Sequence, residues 1–116
     1  MSDLKIETVQ SESSGVAGRA VSHARGQRLV LDSSTAPKAD ALTNSEAFLA
    51  GVSSCGVTLI ELHAQQAAVP LRRTRVTIEG ARTPAEPRFQ SVTMRFELEG
   101  VDQPTAEQLV EAYKGR

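Results

Sequence analysis

The chain is poor in aromatic residues and in net charge, and each shortage excludes a class of partner. Aromatic residues make up 3% of the 116 residues and tryptophan is absent, which is too little for the stacked aromatic platform that binds single-stranded nucleic acid. The formal net charge is -1, so no long-range field attracts nucleic acid or a membrane surface. We therefore expect neither nucleic acid nor a membrane among the partners.

Cysteine and long apolar runs are scarce as well. A single cysteine, Cys55, cannot form a disulfide within the chain, and this is typical of a reducing compartment. No run reaches the roughly 18 consecutive apolar residues of a membrane span, and residues 1–15 contain no apolar segment of a secretory signal. The sequence predicts a cytoplasmic protein.

The remaining composition is that of an ordinary globular domain. Hydrophobic residues account for 40% of the chain and charged residues for 23%, close to the average of folded proteins. A chain of this length usually builds one hydrophobic core. We predict a single domain over residues 1–116.

The first third of the chain alternates apolar and polar residues with period two, as antiparallel strands do. Gly15 and the pair Arg25-Gly26 separate these segments as turns. Residues 33–42 have no period and predict a loop. The three predicted strands cover residues 4–10, 16–24 and 27–32.

A long helix follows, with a clear start signal. Thr43 or Asn44 serves as the N-cap, and Glu46 stands where a capping box needs it. Pro70 prevents the helix from continuing beyond that point. Apolar residues spaced 4, 3, 4 and 3 apart form a stripe that we expect to face the core: Phe48, Val52, Cys55, Leu59 and Leu62.

The same helix has a second face of small residues. Interior glycines such as Gly51 and Gly56 each cost about 1 kcal/mol relative to alanine, so close packing should offset them. Gly51, Ser54 and Thr58 lie at i, i+3 and i+7, where another backbone could approach closely. A helix from a second copy of the chain would fit there.

The last part of the chain predicts two more strands and a second helix. Residues 72–81 and 88–100 return to period two, and residues 102–116 read as a helix with Pro104 in its first turn. The order of elements indicates an α+β fold in which helices cover one side of an antiparallel sheet. Residues expected to point inward are Val76, Ile78, Val92, Met94, Phe96, Leu98, Leu109, Val110 and Tyr113.

Cys55 allows two interpretations from the residues alone. Cysteine is among the most buried residue types, so a core position is one of them. The other is a nucleophile, which requires a cation to favour the thiolate, because a mid-helix residue lies beyond the reach of the helix dipole. His63 is about 12 Å from Cys55 along the helix, and with His23 it forms no metal-ligand spacing.

The segment "LTNSEAFLAGVSSCGVTLIEL" places Glu46 nine positions before Cys55, with small residues before the cysteine. It resembles the active-site helix of the OsmC/Ohr family, the osmotically inducible and organic hydroperoxide resistance proteins. The order of the other elements agrees, including the "RLVLD" strand that ends at Asp32. The resemblance implies an intertwined α+β homodimer.

The resemblance also implies a thiol-dependent peroxidase. Cys55 would attack an organic hydroperoxide and become a sulfenic acid, which a thiol reductant then reduces, without a cofactor or metal. The family's arginine would activate the thiolate, and Arg25 is the best match, followed by Arg19 and Arg28. Glu46 would orient that arginine or serve only in the capping box.

Three features depart from the family pattern. Ser45 or Asn44 stands where the family usually has a proline before the glutamate. The family's second cysteine, in a Cys-Pro pair after the second helix, and its last strands do not occur in this sequence, which is either part of a longer chain or the sequence of a protein without the second thiol. The alternative is therefore a non-catalytic dimer that binds a small apolar ligand, with Cys55 as a core residue.

Overall fold

The computed structural model describes residues 3–115 and has the α+β architecture that the sequence predicts. Six strands and two helices make up the described residues. In chain order they are β1 (Gln10–Ser13), β2 (Arg19–Ala24), β3 (Gln27–Asp32), β4 (Leu42–Thr43), α1 (Asn44–Gln66), β5 (Arg73–Ala81), β6 (Ser91–Glu99) and α2 (Gln103–Lys114). They belong to two compact units, divided within α1 after Phe48.

The first unit is built on a four-stranded sheet in the order β1-β2-β3-β4. β1 to β3 are antiparallel, and the short β4 runs parallel to β3. The predicted turn between β2 and β3 is confirmed: Arg25 and Gly26 have φ of 52° and 77°, as a two-residue hairpin turn that follows the sheet twist requires. This turn sets Arg19 opposite Asp32.

The prediction of a strand over residues 4–10 is wrong. Residues 3–9 form no regular element, and β1 begins only at Gln10. Leu4, Ile6 and Val9 are 87%, 79% and 64% exposed. Period-two alternation is a side-chain pattern, but a strand also needs a neighbour for its backbone groups, and the described residues supply none here.

The second unit contains a two-stranded antiparallel sheet, formed by β5 and β6, together with α2 and the part of α1 from Leu49 onward. The strands are in register from Arg73 opposite Glu99 to Ala81 opposite Ser91. On the solvent side Arg73 and Arg75 each lie 3.6 Å from a cross-strand glutamate, so this basic part of β5 is a solvated surface. Inward-facing Phe96 contacts Tyr113 of α2 with ring centroids 5.8 Å apart.

The core of the second unit contradicts the predicted stripe on α1. The buried residues of α1 are Gly56, Ile60 and Ala64, and they pack with Leu109 of α2. The stripe that includes Phe48 and Cys55 is instead exposed or half-buried. The reason is that α1 is apolar on more than one face, so its sequence contains two helical stripes and the sheet selects one.

α2 confirms the predicted second helix but is shorter than the predicted range 102–116: it runs from Gln103 to Lys114, with Asp102 and Gly115 as its caps, and residue 116 lies outside the described residues. The carboxylate of Asp102 accepts a hydrogen bond from the backbone N–H of Thr105 at 3.0 Å, and Pro104 lies in the first turn. Leu109 is buried, and Val110 and Tyr113 are half-buried against the same core. The prediction of one domain over residues 1–116 stays a prediction.

Candidate functional site

Cys55 lies on the exposed side of α1 and is not a core residue of the chain. The next residue, Gly56, is the one that faces Met94, Val76 and Tyr113. Because successive helical residues are about 100° apart, burying Gly56 turns Cys55 towards solvent. The Cys55 sulfur has no hydrogen bond or ion pair with any residue from 3 to 115.

The surroundings of Cys55 on α1 are apolar or small. Phe48 is 59% exposed and Leu62 is 43% exposed, and a Cβ added to Gly51 would meet nothing within 4 Å. By length and composition α1 could cross a membrane, and the core helix of a soluble protein can have the same length and composition. In this structure 17% of the most apolar 18-residue segment of α1 is buried. The Cys55 side of α1 is thus an uncovered apolar surface.

Glu46 is part of a complete capping box at the start of α1. The backbone N–H of Thr43 donates to Glu46 Oε1 at 2.9 Å, and the backbone N–H of Glu46 donates to Thr43 Oγ1 at 3.2 Å. The prediction of Thr43 as the cap with Glu46 is confirmed. The second carboxylate oxygen of Glu46 has no partner among residues 3–115.

Arg25, the predicted activating arginine, stands at the tip of the β2–β3 turn. Neither its guanidinium nor that of Arg28 makes a hydrogen bond or an ion pair with the residues described. Arg19 differs from both, because its side chain is 15% exposed and bound to two carboxylates.

The Arg19 guanidinium forms two bidentate ion pairs. Its Nε and Nη2 donate to Asp32 Oδ1 and Oδ2 at 2.7 and 3.1 Å. Its Nη2 and Nη1 donate to Asp40 Oδ1 and Oδ2 at 2.5 and 3.2 Å. Four of the five guanidinium N–H groups are therefore engaged, and one on Nη1 remains.

The two carboxylates of this cluster lie in different environments. The Asp32 side chain is fully buried, and it also accepts the backbone N–H of Lys38 at 3.1 Å. The Asp40 side chain is 72% exposed. Hydrogen bonds from Arg19 hold the pKa of both carboxyls below the ordinary value and raise the pKa of Arg19 above its own.

Sequence reasoning missed this cluster, although part of it was readable. Once Arg25-Gly26 is a two-residue turn, counting back along the hairpin places Arg19 opposite Asp32, as observed. The position of Asp40 cannot be found in this way, because the loop from residue 33 to 41 has no periodic pattern from which to count.

A cavity of about 490 Å³ lies beside Arg19 in the first unit. Its walls include side chains that can form hydrogen bonds, from Ser11, Ser13, Ser33 and Asn44. Among residues 3–115 no three or more His, Cys, Asp or Glu side chains group as metal ligands do. The structure therefore brings Arg19, Asp32 and Asp40 together, while Cys55 belongs to the second unit.

Solved structures from several bacteria share the fold. The OsmC like protein from Mycoplasma pneumoniae matches with a TM-score of 0.84 at 13% identity, covering 97% of this chain and 82% of its own. The organic hydroperoxide resistance protein OsmC from Legionella pneumophila has a TM-score of 0.63 at 18% identity, over 97% and 84% of the chains. OhrB of Bacillus subtilis, also an organic hydroperoxide resistance protein, has a TM-score of 0.65 at 18% identity, over 96% and 84%.

Comparison of the sequence with known proteins and with models of protein families identifies the family. None of the curated proteins matches the sequence. The family model described as "OsmC-like protein" matches residues 37–115, a range that includes α1, the β5–β6 hairpin and α2. Because this match spans more than half of the chain, the protein belongs to the OsmC-like family.

Proposed function

We propose that the protein reduces organic hydroperoxides with Cys55 as the nucleophile. The observation that carries the proposal is the position of the chain's one cysteine, exposed on an apolar side of α1. An apolar surround would admit the organic part of a hydroperoxide next to the sulfur. Two solved structures with this fold, from Legionella pneumophila and Bacillus subtilis, are named as organic hydroperoxide resistance proteins.

The proposed reaction has two steps. The Cys55 thiolate attacks the terminal oxygen of the hydroperoxide, so that an S–O bond forms as the O–O bond breaks, and the leaving alkoxide takes a proton and departs as the alcohol. Sulfur is oxidised to a sulfenic acid and the peroxide is reduced. Two equivalents of an external thiol then return the sulfenic acid to the thiol, forming a disulfide and water.

An arginine assists this chemistry because a permanent cation favours the thiolate and can donate to the leaving oxygen. Arg25 is proposed for this role, followed by Arg28, because both guanidinium groups are unpaired among residues 3–115. Arg19 ranks behind them, since two carboxylates take four of its N–H groups. Glu46 is proposed to orient the arginine through the carboxylate oxygen that the capping box leaves unused.

The active form is proposed to be a cytoplasmic homodimer. The exposed side of α1 that bears Cys55 and Leu62 is the surface that a second copy would cover. Gly51 supports this, because the chain itself places nothing within 4 Å of an added Cβ and a mid-helix glycine is costly without close packing. A Gly51→Leu variant should be monomeric by light scattering, whereas Gly115→Leu, an exposed glycine elsewhere, should not change the mass.

The experiment for the enzymatic proposal follows the oxidation of Cys55 directly. The purified chain is mixed with one equivalent of cumene hydroperoxide, quenched with a sulfenic-acid trap and analysed by intact mass. We expect rapid appearance of the trapped sulfenic-acid adduct on Cys55, and no adduct when a dithiol is added before the trap, because the dithiol reduces the sulfenic acid first. Cys55→Ser should form no adduct and Arg25→Ala should form it more slowly, while Arg72→Ala, at an exposed arginine just before β5, should react as the unaltered chain does.

A non-catalytic, ligand-binding dimer is the competing function, and one observation favours it. The Cys55 sulfur has no cationic partner among residues 3–115. That function predicts a sulfur that reacts with hydroperoxide only slowly, because no cation favours its thiolate, together with saturable binding of an apolar fluorescent probe in the Cys55→Ser variant. Slow oxidation combined with such binding would replace the peroxidase proposal.

A further inference from the structure

Arg19 has two sides that differ in how firmly they are held. On the inner side Asp32 is fully buried and accepts the N–H of Lys38 as well as both N–H groups from Arg19. On the outer side Asp40 is 72% exposed. Water and salt compete well for an exposed ion pair and poorly for a buried one, so the outer pair opens far more readily.

Opening the outer pair leaves the rest of the first unit in place. The loop that bears Asp40 has separate attachments, from Lys38 to Asp32 and from Ser34 to Ser45, whose hydroxyls lie 2.7 Å apart. Asp32 then still orients the guanidinium, and because Asp32 Oδ1 also lies 4.0 Å from Lys38 Nζ, the opened cluster has more positive than negative charge. Movement of Asp40 would therefore expose the Nη1–Nη2 edge of Arg19 while its direction stays fixed.

The exposed edge would be a preformed site for a planar anion. Two parallel N–H groups fit both oxygens of a carboxylate, which is how Asp40 binds now. Arg19 also lines the 490 Å³ cavity, together with polar residues such as Ser13 and Asn44. An incoming carboxylate would replace one negative charge with another, so the cluster would keep its charge balance.

We propose that Arg19 is a gated carboxylate-binding residue, and that Asp40 is the internal carboxylate which occupies the outer edge of its guanidinium until a small carboxylic acid displaces Asp40. Asp32 holds the guanidinium in place in both states. Glu12 also lines the cavity, but its Oε1 lies 3.3 Å from His23 Nε2 rather than on Arg19. This site goes beyond the peroxidase proposal, because it involves neither Cys55 nor a redox step.

The test is a calorimetric titration with sodium benzoate at low salt, on the full chain carrying Cys55→Ser so that sulfur chemistry plays no part. Asp40→Asn should bind benzoate about tenfold more tightly than the parent, the factor expected if Asp40 occupies the arginine about nine-tenths of the time. Asp40→Ser should behave in the same way. Adding Arg19→Lys to Asp40→Asn should abolish the tighter binding, because the ammonium of lysine cannot donate two parallel N–H groups to a carboxylate.

Glu12→Gln is the control, since it removes one negative charge from the cavity that Arg19 lines without freeing Arg19. Equal tightening by Glu12→Gln and Asp40→Asn would show a general charge effect and overturn the proposal. So would unchanged binding in both Asp40 variants, or a gain that survives Arg19→Lys while the thermal melt shows a folded protein. Failure of this test leaves Cys55 oxidation to be judged by its own assay.

Discussion

The capping box at the start of α1 provides a sharp test of what Glu46 does. Thr43 and Glu46 satisfy each other's backbone N–H groups at 3.2 and 2.9 Å. Loss of an N-cap side chain costs about 1 kcal/mol, so Thr43→Ala should lower the free energy of unfolding by that amount. For a chain of 116 residues this corresponds to roughly 4 °C in Tm.

Two substitutions of Glu46 separate its capping role from a role at the sulfur. Glu46→Gln retains an oxygen that can accept the Thr43 N–H, and glutamine occurs at this position in capping boxes. Its unfolding free energy should therefore stay within about 0.5 kcal/mol of the parent. Glu46→Ala removes the acceptor and should cost about 1 kcal/mol, as Thr43→Ala does.

Chemical denaturation and the rate of Cys55 oxidation are measured on the same three variants. If Glu46 orients the activating arginine, Glu46→Gln should slow oxidation at unchanged stability, because the amide lacks the charge. A capping-only role predicts unchanged oxidation in Glu46→Gln. Equal destabilisation by Glu46→Gln and Glu46→Ala would refute the capping argument itself.

Three further predictions concern packing and acid stability. Gly56→Ala should raise the unfolding free energy by about 1 kcal/mol through helix propensity, because the new Cβ would stand 3.4 Å from Met94 Cε, an ordinary contact; a lower midpoint in urea would contradict this. Gly100→Ala should lower the free energy of unfolding by about 2 kcal/mol, since residue 100 has a φ of 97° and the Cβ of the alanine would lie 2.8 Å from the carbonyl oxygen of Pro70. An unchanged midpoint of unfolding in urea would refute this argument from strain. Hydrogen bonds from Arg19 lower the pKa of Asp32 from 3.8. The stability that ionised Asp32 contributes is therefore complete above pH 3.8 and is lost as the pH falls through the pKa of Asp32 in the folded protein. Acid titration by circular dichroism should show that the difference in stability between the parent and Asp32→Asn shrinks in that range.

The elements that the sequence predicted correctly are those with local causes. The cap at Thr43, the turn at Arg25-Gly26 and the proline in the first turn of α2 each depend on residues a few positions apart. Their hydrogen bonds and φ angles follow from the side chains nearby. The β5–β6 hairpin belongs to the same group, because its alternation favours one register.

The errors arose where the outcome depends on a distant surface. Residues 3–9 alternate as a strand does, yet a strand requires backbone partners that no local pattern supplies. On α1 the sequence contains two apolar stripes, and the sheet buries Gly56, Ile60 and Ala64 while Cys55 stays exposed. Periodicity identifies a helix, but it does not choose between two faces of similar hydrophobicity.

The sequence by itself determined the α+β order of elements, their caps and turns, and the family resemblance centred on Glu46 and Cys55. Tertiary structure decided the exposure of Cys55 and the assembly of Arg19 with Asp32 and Asp40. Caps and turns are settled by interactions within a few residues, whereas burial and ion pairing depend on segments far apart in the chain. A guanidinium that holds a buried carboxylate on one side and an exposed one on the other exists only after the loop has folded against the hairpin.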